Sequence, residues 1–226
     1  MINGKKVLAI IPARKSSSEL KNKNIRKFNN KPLITWTLNA AKKSKLIDKV
    51  VVSTNSNKIL TISKNYKKFI ISKRPERLCS KKSEIIDTIF FELNKYREFD
   101  IVILLQPTSP LRKSKDIDKS LLEMTQYKKN SCVSYVEIKY NPYNYFYIKK
   151  KKIRYFLKKK RLKSTNRQSF KKLFYPSGDI YISTIKRLKK KRNFIDLDTY
   201  PYIINKKNFS DIDNIWDLKA AELKLK

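Results

Sequence analysis

Asp100-Ile101-Val102-Ile103-Leu104-Leu105-Gln106-Pro107-Thr108-Ser109-Pro110-Leu111-Arg112 changes character in the middle. From Ile101 to Leu105 it is apolar without alternation, the pattern of a strand covered on both faces, as in a parallel sheet between helices. It then turns polar within one residue, and two prolines fix the shape of the loop that carries Thr108, Ser109 and Arg112. In open α/β sheets, ligands bind at loops leaving the carboxyl ends of parallel strands, so Gln106 is a candidate ligand contact. The competing reading is a tight strand–helix turn capped by Thr108 or Ser114.

Outward from this stretch, short apolar runs alternate with helical spacings, which reads as βαβ construction. Strands are expected at Val7–Ile11, Lys49–Thr54, 69–72, 131–138, 179–183 and 201–204. Helices are expected at 32–43, with Pro32 as first residue, and at 56–66, 83–96, 114–128, 184–191 and from about 214. Segment 138–178 breaks the alternation: it has 14 Lys or Arg and no Asp or Glu. Its β-like runs 143–148 and 152–157 flank a lysine cluster and suggest a protruding hairpin. The reading is one α/β domain spanning 1–226, with 139–172 inserted as a basic arm.

Across 226 residues, 55 Lys and Arg stand against 19 Asp and Glu, a formal charge of +36. Such a charge fits anionic partners, but Lys, Ile, Asn, Tyr and Phe, all writable with A/T-rich codons, dominate the chain together. Much of the charge therefore reads as compositional bias. The absence of histidine excludes Ser-His-Asp, Cys-His and His-ligated zinc chemistry. Cys79 and Cys132 lack metal-site spacing. Val7–Ile11 is too short for a signal-peptide core, and no apolar run is long enough to span a bilayer. The expected setting is the cytoplasm.

Three further constellations carry chemistry. The loop Pro12-Ala13-Arg14-Lys15-Ser16-Ser17-Ser18-Glu19-Leu20-Lys21-Asn22-Lys23-Asn24 leaves the first strand at the ligand edge. Arg14, Lys23 and the serines suit a polyphosphate, and Asn24 either makes a polar contact or takes a left-handed turn; a solvated basic loop is the alternative. Lys73-Arg74-Pro75-Glu76-Arg77 is a basic turn after a strand, by itself an ordinary surface turn. Asp211-Ile212-Asp213 offers two hard oxygen donors suited to Mg²⁺, or a cap for the last helix.

In this order the motifs resemble the acylneuraminate cytidylyltransferases, the CMP-sialic acid synthetases. The resemblance rests on Ile11–Arg14, Lys23-Asn24-Ile25, Lys31–Ile34, Arg74-Pro75, Leu105–Arg112, Arg167-Gln168, Gly178 with Ile180-Tyr181, and Asp211–Asp213 with Asp217-Leu218 and Ala221-Glu222. It runs from about residue 7 to 224, and Leu105–Arg112 is its most specific part. The related 3-deoxy-manno-octulosonate cytidylyltransferases usually carry a different segment at Gln106–Pro110.

The resemblance implies a Rossmann-like nucleotide-diphospho-sugar transferase fold, with a mostly parallel sheet, helices on both faces and an arm at a homodimer contact. It implies transfer of CMP from CTP to the anomeric hydroxyl of a nine-carbon 2-keto-3-deoxy sugar acid, of the N-acetylneuraminate, legionaminate or pseudaminate kind, with pyrophosphate released. By analogy Arg14, Ser17 and Lys23 hold the triphosphate, and Asn24 and Arg74 place the nucleotide. Gln106 lies between nucleotide and sugar, Arg167 and Gln168 reach the partner's sugar-acid site, and Tyr181 lines the sugar pocket. Asp211 and Asp213 hold Mg²⁺, and Arg14, Lys23 and this acidic pair form the catalytic set. The chain departs from the family pattern at Lys15, Ser16, Ser18 and Glu19, where glycines and a lysine are usual, and at Asn55, Lys81, Ser177 and Asp179. The alternatives are a single-stranded nucleic-acid-binding protein using the basic aromatic arm, or a sugar nucleotidyltransferase of different specificity.

Overall fold

Strand β1 (Val7–Pro12) has every residue buried, and its side chains divide by parity. Val7, Ala9 and Ile11 enter one apolar cluster, Leu8 and Ile10 another. Strand β6 (Ile101–Leu104) splits the same way, Ile101 and Ile103 against Val102 and Leu104. Because strand side chains alternate between faces, these two strands form the wall between two cores. The computed structural model describes residues 1–17, 19–67, 69–80, 82–138, 142, 145–157 and 171–225.

Seven strands form the main sheet, in the order β11 (Tyr200–Ile203), β7 (Ser131–Glu137), β10 (Phe174–Thr184), β6, β1, β4 (Lys49–Thr54), β5 (Phe69–Lys73). The β1–β4, β1–β6, β4–β5 and β11–β7 pairs are parallel; β10 alone runs antiparallel to its neighbours β6 and β7. Helices α1 (Leu33–Lys43), α2 (Asn57–Lys64) and α4 (Ser114–Gln126) cover one face, through Ile34 and Leu38, Ile59, and Ile117 and Leu121. Helices α3 (Ile85–Leu93) and α5 (Ile185–Lys191) cover the other through Ile86, Ile89, Ile185 and Leu188. Each such buried side chain contributes about 1.5–3 kcal/mol. The last helix, α6 (Ile215–Leu223), sets Leu218 and Ala221 against Leu20, Phe28, Leu33 and Ile212. That third cluster ties the end of the chain to the loop after β1.

Several expected bounds move. Pro32 is the N-cap of α1, not its first residue, because it pairs with Lys27 in the ribbon β2 (Lys27–Phe28)–β3 (Lys31–Pro32). Helix α3 is shorter than 83–96. Helix α4 has Lys113 at its N-cap with no side-chain cap, so neither Thr108 nor Ser114 serves there. Strand β10 begins at Phe174, ahead of 179, and a register shift between Pro176 and Tyr181 keeps this non-alternating stretch paired with β7.

Strands β8 (Phe146–Lys149) and β9 (Lys152–Tyr155) form the expected hairpin as a separate two-stranded sheet, and all eight residues are exposed. Its two-residue turn, Lys150-Lys151, takes φ of 49° and 59°, the left-handed geometry that hairpins favour and usually fill with Asn-Gly. Asn29-Asn30 between β2 and β3 does the same, at 44° and 64°. With two glycines in the chain, asparagine and lysine occupy these positions instead. Among the described residues no helix is long and apolar enough to cross a membrane, and both cysteines are free and buried.

Candidate functional site

Strands β1, β4, β5 and β6 run in parallel, so the segments leaving their carboxyl ends meet at one edge of the sheet. There they enclose a cleft of about 210 Å³ lined by Arg14, Ser16, Ser17, Lys23, Asn24, Arg74, Gln106, Thr108 and Asp213, with Pro12, Glu19, Ile85 and Pro107. Seven residues expected from sequence at the site, Arg14, Ser17, Lys23, Asn24, Arg74, Gln106 and Asp213, line this one space.

The loop after β1 holds its shape without glycine. Asn22 takes the left-handed conformation (φ 59°), and its neighbour Asn24 instead donates from its side chain to the Arg14 carbonyl at 2.9 Å. Asn therefore supplies the turn, but two positions before the Asn24 that the sequence offered for it. Ser17 Oγ donates to the Leu20 carbonyl and accepts from the Lys23 amide at 3.4 Å, so its hydroxyl is spent on the loop itself. The Lys15 amide donates to Asn55 Oδ1 at 2.8 Å, and the Asn55 amide group donates to both Glu76 oxygens. Arg14 donates to the Ser80 carbonyl at 3.1 Å. Side-chain amides thus fix a backbone that a glycine-rich loop would leave mobile.

Arg74 is nearly buried at the floor of the cleft. Its Nη2 donates to the Ser53 carbonyl at 2.7 Å and its Nε to Ser53 Oγ at 3.3 Å. Burial lowers its pKa, and Arg14 adds to the lowering. Opposite, Lys23 Nζ lies 2.8 Å from Asp213 Oδ1. Asp211 stands behind, its Oδ2 3.9 Å from where a Cβ on Gly178 would sit. Burial first, and then the like charge of Asp213, raise the Asp211 pKa above the usual carboxylate range. Thr108 Oγ1 is buried beside it without a hydrogen bond of normal geometry. Asp213 is not the helix cap: Asn214 caps α6, and Asp217 closes a reciprocal capping box by accepting from the Asn214 amide. Among the described residues no group of three or more Asp, Glu or Cys gathers to hold an ion, so Asp211 and Asp213 would have to share one with water and ligand oxygens.

Gln106 and Ile85 also line a second, wider pocket of about 490 Å³, with Tyr181, Leu104, Ile86, Glu84 and the run Arg192-Asn193-Phe194-Ile195. Tyr181 belongs here and does not line the first cleft; its ring meets Phe194 edge-on at 5.8 Å, and burial raises its pKa. The run 192–195 was not singled out from sequence. Because β10 is antiparallel, α5 carries the chain back to the ligand edge, and strand direction leaves no mark in one sequence. Arg167 and Gln168 lie outside the described residues.

Arg112 stands outside the cleft. Buried, it donates to the Asp179 carbonyl at 2.5 Å, to Thr37 Oγ1 at 2.6 Å and to the Gln106 carbonyl at 2.9 Å. It braces the proline loop from below, joining β10, α1 and the Gln106 turn. Burial lowers its pKa to about 10. Beside it, burial pushes the Asp179 carboxyl up to about 7, and neither of its oxygens has a hydrogen bond of normal geometry.

Residues 8–214 match the family model described as "Cytidylyltransferase". The chain is 30% identical over 229 residues to the N-acylneuraminate cytidylyltransferase of Escherichia coli O18:K1:H7, covering 96% of itself and 51% of that longer protein. It is 33% identical over 227 residues to the CMP-N,N'-diacetyllegionaminic acid synthase of Legionella pneumophila, covering 96% of itself and 95% of that protein. Among solved structures, a CMP:2-keto-3-deoxy-manno-octonic acid synthetase complexed with CTP superposes with a TM-score of 0.68 at 16% identity, over 97% of this chain and 98% of the other; this likeness concerns the fold. With a parallel sheet whose ligand edge gathers these basic and acidic groups, and a family match over nearly its whole length, the chain belongs to the cytidylyltransferase family.

Proposed function

We propose that the cleft binds CTP and that the protein transfers CMP to the anomeric hydroxyl of a nine-carbon 2-keto-3-deoxy sugar acid, releasing pyrophosphate. One observation carries the reading: Arg14, Lys23 and Arg74 share a small cleft with Asp213, and Gln106 joins that cleft to a second pocket of sugar size. The names of the relatives, an N-acylneuraminate cytidylyltransferase and a CMP-diacetyllegionaminate synthase, agree with it.

The reaction is an in-line attack of a sugar hydroxyl on the α-phosphorus, so the protein chiefly positions groups and neutralises charge. Arg14 and Arg74 take triphosphate oxygens; Lys23, held ready by Asp213, exchanges that partner for phosphate. Gln106 separates base and sugar, and Tyr181 with Phe194 packs the sugar's apolar face. One carboxylate of the pair Asp211 and Asp213 accepts the anomeric proton. A divalent cation fits the pair Asp211 and Asp213, because Mg²⁺ is commonly held by one or two carboxylates together with substrate phosphates and water. When bound it would offset charge on the transferring phosphate and lower the pKa of the attacking hydroxyl.

The exposed hairpin favours a homodimer. A lone two-stranded ribbon is marginal in water, yet this one exposes Phe146, Tyr147, Ile148, Ile153 and Tyr155, and a second copy would cover them. Sedimentation at micromolar concentration should give a dimer, and Ile148→Lys with Ile153→Lys a monomer. For the nucleotide, calorimetry with CTP, UTP, ATP and GTP should give tight binding for CTP alone; equal affinity for all four, or none for CTP, would overturn the reading.

A further inference from the structure

Glu92 has a fully buried side chain on α3, inside the second core. It does not line the cleft, and nothing in the sequence pattern distinguishes it. A carboxylate there must be paired to be tolerated, and its partners lead to the site. Ser53 Oγ donates to Glu92 Oε1 at 2.6 Å while accepting from Arg74 Nε at 3.3 Å. Glu92 Oε2 accepts from Lys95 Nζ at 3.2 Å, and Lys95 donates onward to Ser72 Oγ at 2.7 Å. The Glu92 charge also favours the cationic form of Arg74, against the effect of burial and of Arg14.

The bonds have a direction. Ser53 owns one hydroxyl proton, and giving it to Glu92 turns an oxygen lone pair towards Arg74. Without the carboxylate the hydroxyl loses its acceptor and is free to rotate, so nothing holds its lone pair on the guanidinium. With Nε and Nη2 both fixed on Ser53, the guanidinium plane is set, and Nη1 has no partner among the described residues.

We propose that Glu92 is a positioning residue for nucleotide binding: through Ser53 it holds the Arg74 guanidinium aimed at the triphosphate. This rests on the reading of the cleft as the CTP site. Hydrogen bonds to charged groups are strong enough that losing this alignment should weaken CTP binding about tenfold.

The test is a double-mutant cycle on CTP affinity and on kcat. Glu92→Leu, which removes the acceptor, and Ser53→Ala should each raise the CTP Kd about tenfold, leave kcat within about twofold, and add little to one another. In an Arg74→Ala background, Glu92→Leu should leave the Kd unchanged, because its effect passes through Arg74; a merely structural loss would persist there. An unchanged Kd in a folded Glu92→Leu or Ser53→Ala protein, or an undiminished effect without Arg74, overturns the proposal. Failure of the wild-type protein to bind CTP overturns the reading of the cleft as well.

Discussion

Lys23 Nζ lies 2.8 Å from Asp213 Oδ1, which closes the candidate site across 190 residues of chain. The loop after the first strand and the segment before the last helix meet in this one pair. The Asp213 side chain is 57% exposed, and ion pairs so open to water contribute only about 0–1 kcal/mol to stability. Lys23→Met and Asp213→Asn should therefore melt within a few degrees of the wild-type protein. Each should lose turnover by about a hundredfold or more, since both groups face developing charge. Parallel melting curves and initial rates check this; large unfolding shifts would reassign the pair to structure.

Asp179 makes stability depend on pH in an unusual direction. Burial lifts its pKa to about 7 in the folded protein, from an ordinary 3.8. Between those values the folded protein holds a proton that the unfolded chain releases, so this group costs stability as pH rises. Replacing Asp179 by Asn removes that dependence. The variant should gain on the wild-type protein from pH 5 to pH 8, by on the order of 3 kcal/mol, in denaturant midpoints measured at each pH. A constant difference across that range would contradict the raised pKa.

Arg112 illustrates what one sequence can and cannot disclose. Leu105–Arg112 was legible as a rigid loop at the ligand edge, and Gln106 lies there. The arginine of the same loop is a brace pointing down into the protein, because its acceptors come from Thr37 and Asp179, remote in sequence. Strand positions and the two-sided core followed from unbroken apolar runs such as Ile101–Leu105. The antiparallel direction of β10, and with it the arrival of Phe194 and Ile195 at the second pocket, depends on pairing between distant segments. Glu92, on helix α3, was likewise hidden, since its partner Ser53 sits in a strand remote in sequence.

The brace has a measurable weight. Arg112→Met would leave the Asp179 carbonyl and the Thr37 hydroxyl, both buried, without this donor. A buried acceptor left unpaired costs about 1–3 kcal/mol, and the fall should appear in the urea midpoint with an unchanged slope. A loss below about 1 kcal/mol would show that water takes over the role.

Asn22 tests how the glycine-poor loop is built. At φ 59° glycine is at ease, asparagine tolerable, and a β-branched residue strained. Asn22→Gly should keep stability within about 0.5 kcal/mol of wild type, whereas Asn22→Val should lose about 1–2 kcal/mol. Activity should follow the same order, because this turn sets where Lys23 and Asn24 stand. Equal behaviour of the two variants would mean that the turn adopts another conformation.

The most direct test of the proposed chemistry is pyrophosphate release from CTP and Mg²⁺ with a panel of nine-carbon 2-keto-3-deoxy sugar acids, N-acetylneuraminate, legionaminate and pseudaminate derivatives among them. The expected result is one equivalent of pyrophosphate for each CMP-sugar formed with at least one of them, and none when Asp211 is replaced by Asn. No release with any member, alongside tight and salt-sensitive binding of single-stranded oligonucleotides, would contradict it.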